Sequence, residues 1–236
     1  MRQWRYHVPI LGYHRVGPFV GDHVPTVSPE SFERQLRFLA RFRYGVISLD
    51  EVANRLERGE SIPRRRVVIT FDDGYEETHR IAWPLLKQFG FPAATFLMPG
   101  EVGRPGFVTW AQATEMARDG MTIGSHTMTH TFLPLADTAR LTEEIMGSKR
   151  LIEAQVGQAV RYLSYPVGGF TADVQRVVRE AGYRAACTTN RAWPRAAMDR
   201  FALRRVKITE RDGHPLIFWA KVSGYYDAFR RLEQPA

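Results

Sequence analysis

The stretch VVITFDDG (67–74) runs an apolar, β-branched segment straight into two adjacent carboxylates, Asp72 and Asp73, and then a glycine. Like charges this close repel each other, and burial raises the cost, so something must offset it. A divalent cation would do so. SHTMTH (125–130) places His126 and His130 four residues apart at the end of another apolar run, and His14 ends a third. One Asp and two His form a donor set for a borderline cation such as zinc, with cobalt or nickel as further candidates. Three protein ligands leave coordination positions open, as catalytic sites require. The glutamate that follows the first His in the zinc-protease HExxH pattern is replaced here by Thr127, so a general base must come from elsewhere. The aspartate pair has one to spare. The expected division gives Asp73 to the metal and leaves Asp72 to take a proton from water. Taken alone, Asp-Asp-Gly reads equally well as a turn with a helix cap, and a strand-end His as a hydrogen-bonded surface residue. Their joint position at strand ends favours the metal. His7, His23 and His79 are read as solvated or packed residues.

Short apolar strands alternate with amphipathic helices along the chain. Strands are expected at 8–13, 45–49, 67–73, 93–98, 121–126, 162–166, 183–189 and 202–208. Helices are expected between them, with Pro29 in the first turn of one, Asp50 capping the next, Gly90 ending another and Thr109 capping the one after. A last helix is expected over 213–232, either continuous or interrupted at Gly224. Repeated βα units imply a parallel sheet, and seven or eight of them in 236 residues suggest an α/β fold closed into a distorted (β/α)7-8 barrel. An open doubly wound sheet is the alternative. In either architecture the carboxyl ends of the strands carry the active site. His14, Asp72-Asp73, His126 and Tyr165-Pro166-Val167-Gly168-Gly169 all fall there. No linker or repeat divides the chain, so residues 1–236 are read as one domain.

Composition narrows the function. Apolar residues make up 44% and charged residues 25%, as in an ordinary soluble domain. The net charge of +8 comes mostly from Arg, but the charge is scattered, and neither phosphate-cradling glycine loops nor nucleic-acid-binding motifs are present. No nucleic-acid partner and no stable membrane insertion are expected. The single cysteine, Cys187, excludes an internal disulfide and reads as a buried structural thiol. No signal peptide or membrane span is evident, so the chain as given reads as cytoplasmic, or as secreted or periplasmic if a leader has been removed.

These motifs resemble the polysaccharide deacetylases of the NodB-homology type, carbohydrate esterase family 4, over about residues 8 to 208. TFDDG (70–74) matches the family's first motif and SHTMTH its second, while LSYPVGG (163–169) resembles its third. The resemblance implies a distorted barrel, a metal held by Asp73, His126 and His130, and Asp72 as base. Two positions depart from the pattern. Ser164 stands where the family often has an arginine that steadies the base, and no Leu-x-Leu-His segment follows residue 170 to supply an acid. Leu11-Gly12-Tyr13-His14 has nearly that shape at the opposite end of the chain. In a closed barrel the first and last strands are neighbours, so a circularly permuted chain, as in exopolysaccharide deacetylases, would keep the site intact. His14 is therefore expected as general acid, the alternative being a buried His packed beside Arg15, and Arg205 as the arginine that pairs with Asp72, the alternative being a surface ion pair.

The reaction so implied is hydrolysis of N-acetyl groups on an amino-sugar polysaccharide or oligosaccharide of the poly-N-acetylglucosamine kind. The backbone N–H of Val167 would help hold the oxyanion. Trp110, Tyr165 and Trp193 could stack on sugar rings, and each reads equally well as core. Two other readings stay open at this stage: a metal-dependent hydrolase of small non-sugar amides, and a non-catalytic carbohydrate-binding barrel.

Overall fold

The computed structural model describes residues 7–19, 24–189 and 199–226. His23 and Trp193 lie outside the described residues. Seven parallel strands close into a ring: β1 (Ile10–Tyr13), β2 (Arg66–Phe71), β3 (Ala94–Leu97), β4 (Thr122–Ser125), β5 (Tyr162–Ser164), β6 (Ala185–Thr188) and β7 (Leu203–Lys207). β1 closes the ring, pairing with β7 through Ile10↔Arg205 and with β2 from Ile10↔Val68 to Tyr13↔Phe71. This is a closed (β/α)7 barrel, not an open sheet.

The expected strand at 45–49 shrinks to Gly45–Val46, which pairs with Arg66 and Val67 and stands outside the ring. Leu49 is already helical: Ser48, not Asp50, caps the helix Leu49–Glu57 by accepting a hydrogen bond from Glu51 N–H. Asp50 is used elsewhere. It accepts a 2.6 Å bond from Tyr162 Oη, and Arg184 bonds Asn54 and Glu57 of the same helix. Tyr162 begins β5 and Arg184 precedes β6, so this helix covers the amino-terminal end of the barrel. Its Val52 and Ala53 join Ile10, Val68, Phe96 and Cys187 in the apolar filling of the ring. The larger apolar layer lies between strands and outer helices.

The other capping expectations hold. Ser28 and Pro29 open Pro29–Arg41, Thr109 forms a capping box with Gln112, and Gly90 ends Trp83–Phe89 in the left-handed conformation. The helical run 138–156 is one continuous rod whose middle, Glu143–Gly147, widens to π-type turns. Within the described residues the last helix is Pro215–Val222, with Gly224 in the left-handed region after it. Residues beyond 226 are outside the described set. Among the described residues no helix is long and apolar enough to cross a membrane.

Candidate active site

Alternation along β2 explains why the two aspartates diverge. Side chains of a strand point to opposite faces in turn. Val68 and Thr70 face the barrel interior, and Asp72 continues that series beyond the strand's end. There it meets Arg205, which β7 carries inward two residues after Leu203. The pair is bidentate: Arg205 Nη1 donates to Asp72 Oδ1 at 2.7 Å and Nη2 to Oδ2 at 2.5 Å. Arg205 Nη2 also donates to Ser164 Oγ at 2.8 Å, and Nη1 to Thr70 Oγ1 at 3.2 Å. Ser164 thus leaves space and an acceptor for an arginine that arrives from another strand. Burial alone pushes the Asp72 carboxyl up, but the Arg205 guanidinium reverses this and holds it well below the usual carboxylate range.

Asp73 leaves the alternation. Its φ of 71° is left-handed, which turns its side chain away from the interior series. Gly74 follows with φ 75°, and a Cβ there would approach Leu97 Cδ2 to 2.9 Å, so the glycine of TFDDG is required twice over. Asp73 Oδ1 lies 3.4 Å from His126 Nε2 and 3.8 Å from His130 Nε2. One donor atom from each of the three residues falls within 4.8 Å of the others. Asp73 Oδ1 is buried and has no hydrogen-bond donor. Burial pushes this carboxyl up to about 6 even though the neighbouring His126 opposes the change.

The two histidines are held differently. His126 directly follows β4, and its Nδ1 bonds the Ser164 carbonyl at 2.7 Å, which leaves Nε2 facing Asp73. His130 sits in the following loop with φ 61°, its ring edge-on to His126 at 4.8 Å between centroids. Burial lowers the pKa of both, so both are neutral donors near pH 7. An uncapped buried carboxylate oxygen flanked by two neutral imidazole nitrogens is the surrounding a divalent cation completes, so these residues fit a metal.

His14 follows β1, its Nε2 3.9 Å from Asp72 Oδ2 and its Nδ1 buried without a partner. Burial pushes this imidazole down to about 4, against the pull of Asp72. Val167 lies in the turn after β5 with φ 55°, which a β-branched residue adopts only under constraint. Among the described non-glycine residues six have positive φ, and four of them, Asp73, Thr127, His130 and Val167, lie on these strand-end loops. Such strain costs about 1–3 kcal/mol per residue and collects at functional sites.

Tyr165 is buried, stacks on Phe170 at 4.9 Å and donates to the Phe201 carbonyl, so it belongs to the core and not to a sugar platform. His79 lies on a helix, its Nε2 2.9 Å from Glu115 Oε2 at the surface. Trp110 starts the helix Trp110–Arg118 and is part-buried. Cys187 is buried, and burial pushes its thiol up to about 12, away from nucleophilic use. The residues that brace the site, Ser164, Ser125, Thr127 and Glu144, carry no sequence signal beyond their proximity to the motifs.

The sequence profile of the polysaccharide deacetylase family matches residues 59–186, more than half of the chain. The chain belongs to this family. Its members are hydrolases of carbon–nitrogen bonds other than peptide bonds. The chain is 29% identical over 202 residues to the putative polysaccharide deacetylase YxkH of Bacillus subtilis, spanning 86% of this chain and 71% of that protein. It is 25% identical to the poly-beta-1,6-N-acetyl-D-glucosamine N-deacetylase of Staphylococcus aureus, covering 67% of this chain and 59% of that one. Among solved structures, the Streptococcus pyogenes deacetylase PplD in complex with acetate superposes with a TM-score of 0.83 at 26% identity, over 91% of this chain and 97% of that one.

Proposed function

We propose that this deacetylase removes N-acetyl groups from an amino-sugar polymer or oligomer of the poly-N-acetylglucosamine class, using a divalent cation held by Asp73, His126 and His130. The observation that carries the reading is the split aspartate pair: one carboxylate is fully satisfied by Arg205, and the other is buried with an oxygen left open toward two imidazoles. The donor set suits zinc, with cobalt and nickel as substitutes. When bound, the cation supplies a Lewis acid that polarises the amide carbonyl and makes water more acidic. The whole chain is taken as one catalytic unit.

The residues divide the work as follows. Asp72, kept ionised by Arg205, takes a proton from the attacking water. Ser164 and Thr70 fix the guanidinium, so the base is held at both oxygens. The Val167 N–H, set by its constrained turn, donates to the developing oxyanion. His14 rests neutral and must gain a proton before it can give one. The protonated Asp72 carboxyl beside it is the nearest titratable group to supply it. His14 then protonates the leaving nitrogen, so water and an amide become acetate and a free amine. His14 here takes the part of the family's last motif, as in a permuted chain. The support is that β1 lies between β7 and β2, which brings His14 beside Asp72.

The substrate class is supported by the Staphylococcus aureus relative, which is named for poly-beta-1,6-N-acetyl-D-glucosamine. The test is acetate release from β-1,6-linked N-acetylglucosamine oligomers by chelator-treated protein resupplied with Zn2+, Co2+ or Ni2+. Release that depends on the metal is expected. Absence of release with all three contradicts the reading, and release from small ureides or formamides instead would move the substrate class.

A further inference from the structure

His126 is fixed by its strand and by the Ser164 carbonyl, but the ring of His130 has no comparable bond among the described residues. Its place depends on the backbone of residues 127–131. That loop is strained, with Thr127 at φ 67° and His130 at φ 61°. Three bonds shape it: Thr127 N–H donates to Ser125 Oγ at 3.1 Å, His130 N–H to Thr127 Oγ1 at 3.1 Å, and Gly100 N–H to the Met128 carbonyl at 2.9 Å.

The main outside brace is Glu144, fully buried in the widened part of the helical run 138–156. Its Oε2 accepts from Thr129 N–H at 2.9 Å. Its Oε1 accepts from Thr129 Oγ1 at 2.6 Å, from Thr131 Oγ1 at 2.9 Å and from Arg140 Nη2 at 2.6 Å. One carboxylate therefore grips the residues on either side of His130. Packing alone does not call for a charge here, since an apolar side chain of similar volume avoids the desolvation penalty. The π-type turns at 143–147 add to the case, because such distortions recur at functional sites. Ser148 locks the same stretch to β4: its Oγ donates to the Glu144 carbonyl at 2.6 Å and lies 2.8 Å from Ser125 Oγ.

We propose that Glu144 is a positioning residue for the cation: its buried carboxylate holds the strained 127–131 loop so that His130 is preset as a ligand. This rests on the reading of Asp73, His126 and His130 as the metal site. Outer residues that orient ligands are commonly worth about 10–100-fold in metal affinity.

The test uses Co2+ as probe, with its affinity measured by chelator competition, its visible spectrum recorded, and the Tm of the metal-free protein measured alongside. Glu144→Gln keeps the volume but sets an amide NH2 among three donors and removes the charge facing Arg140. It is expected to weaken Co2+ about 10–100-fold and to alter the visible absorption. Leu39→Val, a buried change on the helix Pro29–Arg41, is expected to lower Tm with Co2+ affinity within about twofold of wild type. If Glu144→Gln does not fold, Thr131→Val, which deletes one hydroxyl donor, is expected to weaken Co2+ several-fold. Unchanged Co2+ binding in Glu144→Gln, or in Thr131→Val where that variant stands in, overturns the proposal. So does an equal loss in Leu39→Val. Wild-type protein that binds no Co2+ removes the metal-site reading itself and this proposal with it.

Discussion

On one side of the barrel mouth, Asp72 receives two guanidinium bonds from Arg205, and the same guanidinium bonds Ser164 and Thr70. On the other side, its chain neighbour Asp73 keeps Oδ1 without a donor and faces two imidazole nitrogens. The residue type is the same and the positions adjoin, yet the carboxyls are driven in opposite directions: Asp72 well below the usual range, Asp73 up to about 6. The first half of the site is complete as folded. The second has a carboxylate oxygen left open toward two imidazoles, where the proposed cation would sit. A single turn from extended to left-handed backbone at Asp73 separates them.

The largest expected effect comes from removing the base. Asp72→Asn keeps an acceptor for Arg205 but cannot take a proton, and kcat for acetate release is expected to fall about 10²–10⁴-fold. A fall below about tenfold would remove the distinction between the halves. Arg205→Met attacks the satisfied half through stability. It leaves a buried carboxylate unpaired, and denaturant unfolding is expected to show a loss of about 3–5 kcal/mol. Combining it with Asp72→Asn should cost less than the sum of the two single changes, because the groups are coupled.

Asp73→Asn is expected to act in the opposite sense on metal-free protein. The ionised Asp73 carboxylate is disfavoured in the folded chain, so its penalty is complete above about pH 6 and vanishes below the ordinary carboxylate pKa, where the group is protonated folded or unfolded. Metal-free Asp73→Asn should then be more stable than wild type by about 3 kcal/mol at pH 7, with the gap closing as the pH falls toward 4. Thermal unfolding across that range checks the sign. Ser164→Ala should be mildest, about 1–2 kcal/mol, since Arg205 keeps both of its bonds to Asp72. A larger loss would mean that Ser164 and not Asp72 anchors the guanidinium.

Much of this was readable before any coordinates. Period-two alternation and polar strand ends located Asp72, Asp73, His126 and His130. The family resemblance, read with the adjacency of first and last strands in a closed ring, pointed to His14 and Arg205 at the same mouth. The failures have physical causes. GVISL is too short to tell a ring strand from a strap feeding a helix, and Ser48 wins the cap from Asp50 because Asp50 is drawn to Tyr162 and Arg184. Tyr165 sits at a strand end but turns into the core, where the Phe201 carbonyl satisfies its hydroxyl. Glu144, in the run TEEIMG, reads as one more solvated acid. Only the widened helix turn, which no local propensity encodes, places it under the His130 loop.

The most direct test of the division between the two aspartates is Co2+ binding by Asp72→Asn and Asp73→Asn, titrated at pH 7 side by side with wild type. Asp72→Asn is expected to bind nearly as wild type while its deacetylase activity is lost, and Asp73→Asn is expected to lose binding. Equal loss of Co2+ in both variants, or full binding by Asp73→Asn, would contradict the account.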